Sequence, residues 1–128
     1  MGFDETRQRI IAAAQDQILS HPMLALDEAA AVLQVPAPDV VRQGAVVLSS
    51  GGEELVPAFQ IDHLGQRVWP VVARINALFD AARDPWAAAS WWLSPSGWLD
   101  PGVAPADLVT ETGADDLLVA IAEGLFDG

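Results

Sequence analysis

Few side chains in these 128 residues are placed for covalent or proton-transfer chemistry. The two histidines stand apart, His21 beside Pro22 and His63 in a turn after Asp62, and neither has the i,i+4 helical partner with which imidazoles share a metal. With no cysteine, the chain has no disulfides, thiolate nucleophiles or thiolate metal sites. Adjacent carboxylates occur at Glu53-Glu54 and Asp115-Asp116, but solvation and the helix dipole already favour acids in a hairpin loop and a first helical turn. Ser49-Ser50 and Ser94-Pro95-Ser96 lack the nucleophile-elbow pattern, and no glycine run matches a phosphate loop. The residues suggest no catalytic, cofactor-binding or metal role, and the chain is expected not to be an enzyme.

What remains is recognition. All six basic residues are arginine, against 18 acids, for a formal charge of -12. Neutralising phosphates with Lys and Arg supplies most of the affinity for nucleic acid or anionic membrane, so this balance opposes both. The charge is unevenly spread: residues 1–43 carry -3, residues 44–83 carry -1, and residues 84–128 carry eight acids and no base, for -8. Arg83 is the last cation. Of five tryptophans, four fall between Trp86 and Trp98, which is more aromatic surface than so small a core readily buries. Trp69, Trp86 and Trp92 read as inward-facing, with Trp91 or Trp98 either capping the core or contacting a partner.

These groups need elements to hold them. Ile10, Ile11, Ala14 and Ile18 recur at helical spacing in a segment from Asp4 to Leu19, stopped by His21-Pro22, that suits a lid or a dimer arm. A short helix should follow, with Asp27 as N-cap and an end near Gln34. After Val35-Pro36-Ala37-Pro38, a third helix is expected with Pro38 in its first turn, carrying Asp39, Val40, Val41, Arg42 and Gln43 to Gly44. Val46-Val47-Leu48 and Leu55 to Ile61 flank Gly51-Gly52 as a hairpin, with Phe59 and Ile61 on one face of the second strand and Pro57 at an edge or a strand start. Asp62 to Gly65 is a turn.

From Arg67 the 3.6 period returns, with Val68, Val71, Val72, Ile75, Leu78 and Phe79 as one apolar stripe and Arg74 and Asn76 opposite. Asp84-Pro85 caps and opens a helix to Leu93, ended by Ser94-Pro95-Ser96-Gly97. Pro105 opens a short helix ending at Gly113, and Leu117, Leu118, Ile121 and Leu125 form the inner face of the last one. The fold class is mainly α, in two units: 1–62, an N-terminal helix and a winged helix-turn-helix-like unit with a β-hairpin, and 63–128, a helical dimerisation and partner-binding domain. Its second helix would offer Ala37, Asp39, Arg42 and Gln43 to a DNA groove, although Asp39 repels phosphate. The helix pair serving only as a scaffold is the alternative. The longest uncharged run, Pro85 to Leu99, is 15 residues and falls short of the roughly 20 that span a bilayer, so no membrane association is expected and the location expected is cytoplasmic.

Residues 26–128 also carry a resemblance. Trp92-Leu93-Ser94-Pro95-Ser96-Gly97-Trp98-Leu99, then Ala104-Pro105-Ala106-Asp107-Leu108-Val109, then Gly113 and the helix to Glu123-Gly124-Leu125 resemble the C-terminal toxin-binding domain of MbcA/ParS/Xre antitoxins. Pro57-Ala58-Phe59-Gln60-Ile61-Asp62 and the helix from Trp69 to Phe79 resemble the linker and dimer-forming helix before it. The sequence departs from that pattern at Asp100-Pro101-Gly102, where a more glycine-rich or basic loop is common, and at Ala37-Pro38-Asp39, where a recognition helix usually starts Ser/Arg-rich.

The resemblance implies an antitoxin without catalysis that occludes the NAD pocket of a RES-domain toxin and, in complex with it, represses its own operon. Trp92, Leu93, Trp98, Asp107, Asp115, Asp116, Glu123, Leu125 and Phe126 are the expected toxin-binding residues. Val68, Val72, Ile75 and Phe79 are expected to form a homodimer. Operator DNA would be bound only as an oligomer or a toxin complex. A free-standing winged-helix regulator with an acidic dimerisation domain is the alternative.

Overall fold

Prolines punctuate the chain where its elements begin and end. Pro70 and Pro85 occupy the first helical position of two helices, where a missing N–H costs nothing. The computed structural model describes the backbone of residues 2–127 and the side chains of residues 4–124. In order come α1 (Gly2–Leu19), β1 (Met23–Ala25), α2 (Leu26–Leu33), two 3-10 turns (Ala37–Asp39 and Val41–Gln43), β2 (Leu48–Ser50) and β3 (Glu53–Pro57). A 3-10 turn (Ala58–Gln60) leads to β4 (Ile61–Asp62), β5 (Arg67–Val68), α3 (Pro70–Leu78) and α4 (Pro85–Leu93). A last 3-10 turn (Pro105–Leu108) precedes α5 (Asp115–Asp127). The fold is mainly helical, with a three-stranded antiparallel sheet in the order β1-β3-β2 and a two-stranded ribbon of β4 and β5.

The hairpin forms where the Gly-Gly pair predicts it. Gly51 and Gly52 take φ of 59° and 82°, which suits a tight connection, and Leu48 pairs with Leu55 and Ser50 with Glu53. Asp84 caps α4 as expected, its Oδ1 accepting the Ala87 N–H at 3.1 Å.

Other expectations are corrected. β1 has no periodic signal of its own; it exists by pairing Met23 with Pro57 and Ala25 with Leu55, which makes β3 the central strand and puts Pro57 at its end. Asp27 lies inside the first turn of α2; Ala25 holds the cap position, and its N–H donates to Glu28 Oε1 at 3.2 Å. The third helix is replaced by the two 3-10 turns, because the prolines at 36 and 38 and the left-handed Gly44 (φ 99°) leave too few residues for an α-helical ladder. The strand expected through Phe59 to Ile61 breaks into a 3-10 turn that drives Gln60 inward. α3 starts at Pro70, with Arg67 and Val68 in β5. Leu117 is exposed on α5 while Leu118, Ile121 and Ala122 are buried, and the side chain of Leu125 lies outside the described residues.

The largest departure concerns Asn76. Instead of facing water opposite the apolar stripe, it is 4% exposed and sits at the centre of a buried polar hub. Its Nδ2 donates to the Gly44 carbonyl at 2.7 Å and to Gln60 Oε1 at 3.1 Å, and its Oδ1 accepts the Trp92 Nε1–H at 2.8 Å. Gln60, fully buried, accepts the Val46 N–H at 2.7 Å and donates to the Val46 and Pro57 carbonyls at 3.0 and 3.3 Å. Among the described residues, no buried side-chain polar atom lacks a partner.

A single apolar cluster surrounds this hub, from Ile18 and Ala29 through Val46, Val56 and Ile75 to Leu118 and Ala122. The division expected between residues 62 and 63 thus falls inside the β4–β5 ribbon, with hub bonds crossing it from both sides.

Asn76→Ala leaves the Trp92 indole N–H and the Gly44 carbonyl without their partner and takes one of two bonds from Gln60 Oε1, so at about 1 kcal/mol each a loss of roughly 2–3 kcal/mol is expected. The measurement is the urea midpoint at unchanged slope. Trp92→Phe removes one donor and part of a ring and should lose about 2 kcal/mol. An Asn76→Ala loss under about 1 kcal/mol would contradict the hub's role.

Candidate functional site

The C-terminal third builds a surface rather than a cleft with reactive groups. α4 is anchored by Trp92, whose ring lies 5.2 Å from Phe59 and 4.9 Å from Trp91, with Trp91 in turn edge-on to Phe79 at 4.9 Å. Beyond α4 the loop is pinned on itself: the Ser96 N–H donates to the Val103 carbonyl at 3.0 Å, Val103 N–H to Asp100 at 3.0 Å, and Trp98 N–H to Ser96 Oγ at 3.2 Å. This ordered loop holds Trp98 out, 76% exposed. The 3-10 turn after it is closed by the Ala104 N–H on Asp107 Oδ2 at 2.9 Å, and α5 packs back on α3.

Along this stretch, Asp84, Asp100, Asp107, Glu111, Asp115, Asp116 and Glu123 are all exposed. Asp84 and Asp107 cap backbone N–H groups, and among the described residues none of the seven forms an ion pair. The potential of the surface is therefore uncompensated and negative.

Of the expected toxin-binding residues, the structure places Trp98, Asp107, Asp115, Asp116 and Glu123 on the surface. Trp92 and Leu93 are corrected: at 0% and 9% exposed they belong to the core, Trp92 because its indole N–H is held by Asn76. The side chains of Leu125 and Phe126 lie outside the described residues. The dimerisation assignment is corrected too. Val68, Val72 and Ile75 are 7%, 0% and 0% exposed within the chain's own core, and half-buried Phe79 packs on Trp91, so this stripe has little to offer a second copy.

Ala37, Asp39, Arg42 and Gln43 lie on the two 3-10 turns, not on one helical face. Arg42 Nη1 is 3.5 Å from Asp39 Oδ1, so the acid beside it offsets its charge. Arg67 and Arg83 are likewise paired, with Asp62 at 3.0 Å and Asp80 at 3.8 Å. His21 and His63 lie in connections between elements, and among the described residues no group of three or more His, Asp or Glu could hold a metal ion.

Sequence reasoning missed Gln60 and Asn76. The available signal was an amide inside each of two otherwise apolar segments.

Beside the acidic surface, a cleft of about 240 Å³ runs between Trp69 and the Thr110–Asp115 stretch, with Arg67 at its rim. Arg67 lies over the Trp69 ring at 5.7 Å and is fixed there by Asp62, whose Oδ1 also accepts the Gly65 N–H at 3.0 Å. The Gly65 bond and then the Arg67 bond hold the Asp62 carboxyl below its ordinary value, against the opposing effect of burial. No family model, no characterised protein and no solved structure matches this chain.

Because the folded-state pKa of Asp62 is the lower one, its stabilisation is complete above the unfolded value of about 3.9 and disappears as pH falls through the folded value. Asp62→Asn is expected to be less stable than the parent at pH 7, with the two converging under acid. Thermal melts across the acid range test this, and a constant gap down to about pH 2 would contradict it.

Proposed function

We propose that this chain is an antitoxin that neutralises a RES-domain, NAD-degrading toxin by laying its acidic C-terminal third over the toxin's active site. The observation that carries the reading is the run of seven exposed carboxylates from Asp84 to Glu123, none of them in an ion pair among the described residues and with no cation in the run. A pocket that takes the pyrophosphate of NAD is electropositive, so a cation-free surface is its complement. Trp98 supplies what the acids lack, an exposed aromatic anchor on an ordered loop, the residue type that dominates binding energy at interfaces. The resemblance in the Trp92–Leu99 and Ala104–Val109 runs gives the partner class. In complex with the toxin, the antitoxin would also repress its own operon.

One observation favours the regulator reading. The path α1, β1, α2, turns, β2, β3, with β3 central, is the one a winged helix-turn-helix takes. Against it, two short 3-10 turns stand in the recognition helix's place and Arg42 is paired with Asp39.

Co-expression with the RES-like toxin from the adjacent gene, with growth and cellular NAD as readouts, tests the main reading. Asp115→Arg/Asp116→Arg and Trp98→Ala should each retain the fold and lose protection, with binding at least tenfold weaker and, for the charge variant, a reduced salt dependence. Full protection from both variants overturns the proposal. A gel shift of upstream DNA by the antitoxin alone at physiological salt would move the assignment to the regulator.

A further inference from the structure

The three-stranded sheet has two edges, β1 and β2, and they are not equivalent. On β1 the N–H of Ala25 is taken by Glu28 Oε1 at 3.2 Å, and the strand runs straight into α2 at Leu26. A carboxylate thus stands on that edge, one of the devices that keep sheet edges from pairing. On β2 the Gly51-Gly52 connection closes on Ser50 and Glu53, so the main-chain groups of Leu48 and Ser50 face β3. By alternation those of Val47 and Ser49 face away, and no other element among the described residues bonds them.

The open edge is longer than β2 itself. Continuing the register of Leu48 on Leu55 sets Val46 opposite Pro57, which has no N–H to give. The Gln60 side-chain amide supplies what Pro57 lacks: it accepts the Val46 N–H at 2.7 Å and donates to the Val46 carbonyl at 3.0 Å, the two bonds a neighbouring strand would make. Val46 to Ser50 is therefore held extended from one side, with Val47 and Ser49 open on the other. From Gln43 to Gly52 the chain carries neither a charge nor a proline, although its net charge is -12. The edge lacks the charged and proline residues that usually block pairing.

We propose that β2 pairs antiparallel with β2 of a second copy, about a two-fold axis at Leu48, so that the two sheets become one. Val47 of each copy lies opposite Ser49 of the other, each pair exchanging both its N–H and C=O bonds. The partner is a second copy because this pairing sets uncharged residues of the same segment against one another, and the two-fold closes it at a dimer. Glu53 and Glu54 do not oppose it. They stand on β3, and the two β3 strands are three strand spacings apart, roughly 14 Å, beyond a Debye length of about 8 Å. So short a ladder makes a weak dimer that forms as concentration rises. It uses the N-terminal half alone and stands whether or not the acidic third binds a toxin.

Sedimentation of the full chain over a range of concentrations, with amide hydrogen exchange read by NMR, tests this. The expected result is a concentration-dependent dimer in which the Val47 and Ser49 amides slow at least tenfold as it fills. Ser49→Pro removes an outward donor and no bond to β3, and proline is tolerated on an edge, so the variant should keep its fold and dimerise at least tenfold more weakly. Ser49→Lys and Ser49→Glu put like charges on diagonal positions across the axis and should each weaken the dimer. Mixing those two variants should restore pairing between them, which separates an edge contact from a folding defect. A parent that stays monomeric at every concentration overturns the proposal. So does a dimer whose Val47 and Ser49 amides exchange as fast as in the monomer, or one that Ser49→Pro leaves intact. Protection of these amides only on adding another protein gives the edge a different occupant and overturns it equally.

Discussion

The structure depends on the closed set of hydrogen bonds around Asn76. A buried amide is unfavourable unless all its bonds are made, and here they are made only when four separate segments arrive together: the Gly44–Val46 stretch, the Ala58–Gln60 turn, α3 and α4. In a chain whose strands are two to five residues long, backbone ladders cannot define the arrangement, and the hub does so in their place. Gly44 is part of the requirement. Its carbonyl reaches Asn76 because its backbone passes so close to α3 that an added methyl would come within 2.5 Å of the Ala73 Cβ, and its φ of 99° is one that L residues rarely adopt.

The elements that were legible in the sequence are those whose signal is local. The helical stripes of α1, α3 and α5, the Asp84-Pro85 start of α4 and the Gly51-Gly52 hairpin all follow from spacing or from a turn residue. What was not legible is created by distant pairing. β1 has three residues and no alternation; only β3 makes it a strand. Asn76 reads as outward, and Gln60 falls on the strand face opposite Phe59 and Ile61, because polarity alone points to water and nothing local says that each will find the other. The proline-flanked stretch before Gly44 was long enough to suggest a helix, but too short to complete an α-helical ladder between its breakers.

The same distinction divides the site. The charge partition could be read directly, and the described carboxylates after Arg83 are indeed exposed. The choice between Trp91 and Trp98 as the outward tryptophan could not be read, because it depends on register. Trp92 is turned to Asn76 by the phase of α4, while Trp98, six residues on, is thrown out by the Ser96–Val103 closure. Tryptophan count and spacing indicated surplus aromatic area at one of these two residues without deciding between them.

Charge also decides what the N-terminal half can do. Of six arginines, Arg42, Arg67 and Arg83 are each matched by an acid three to five residues away in sequence, and such pairs cancel beyond a Debye length of about 8 Å. Arg7, Arg9 and Arg74 are left to act at a distance, against a net charge of -12. Three cations without an ion pair among the described residues hold few phosphates, and two of them, Arg7 and Arg9, share α1 with Asp4, Glu5 and Asp16. The turns between Pro36 and Gly44 point the same way. They expose Arg42 and Gln43 as well as Pro38 and Val41, but not as a row at helical spacing, and Asp39 offsets the charge of Arg42. Phosphate is repelled by the exposed acids of this half, Asp27, Glu53 and Glu54 among them.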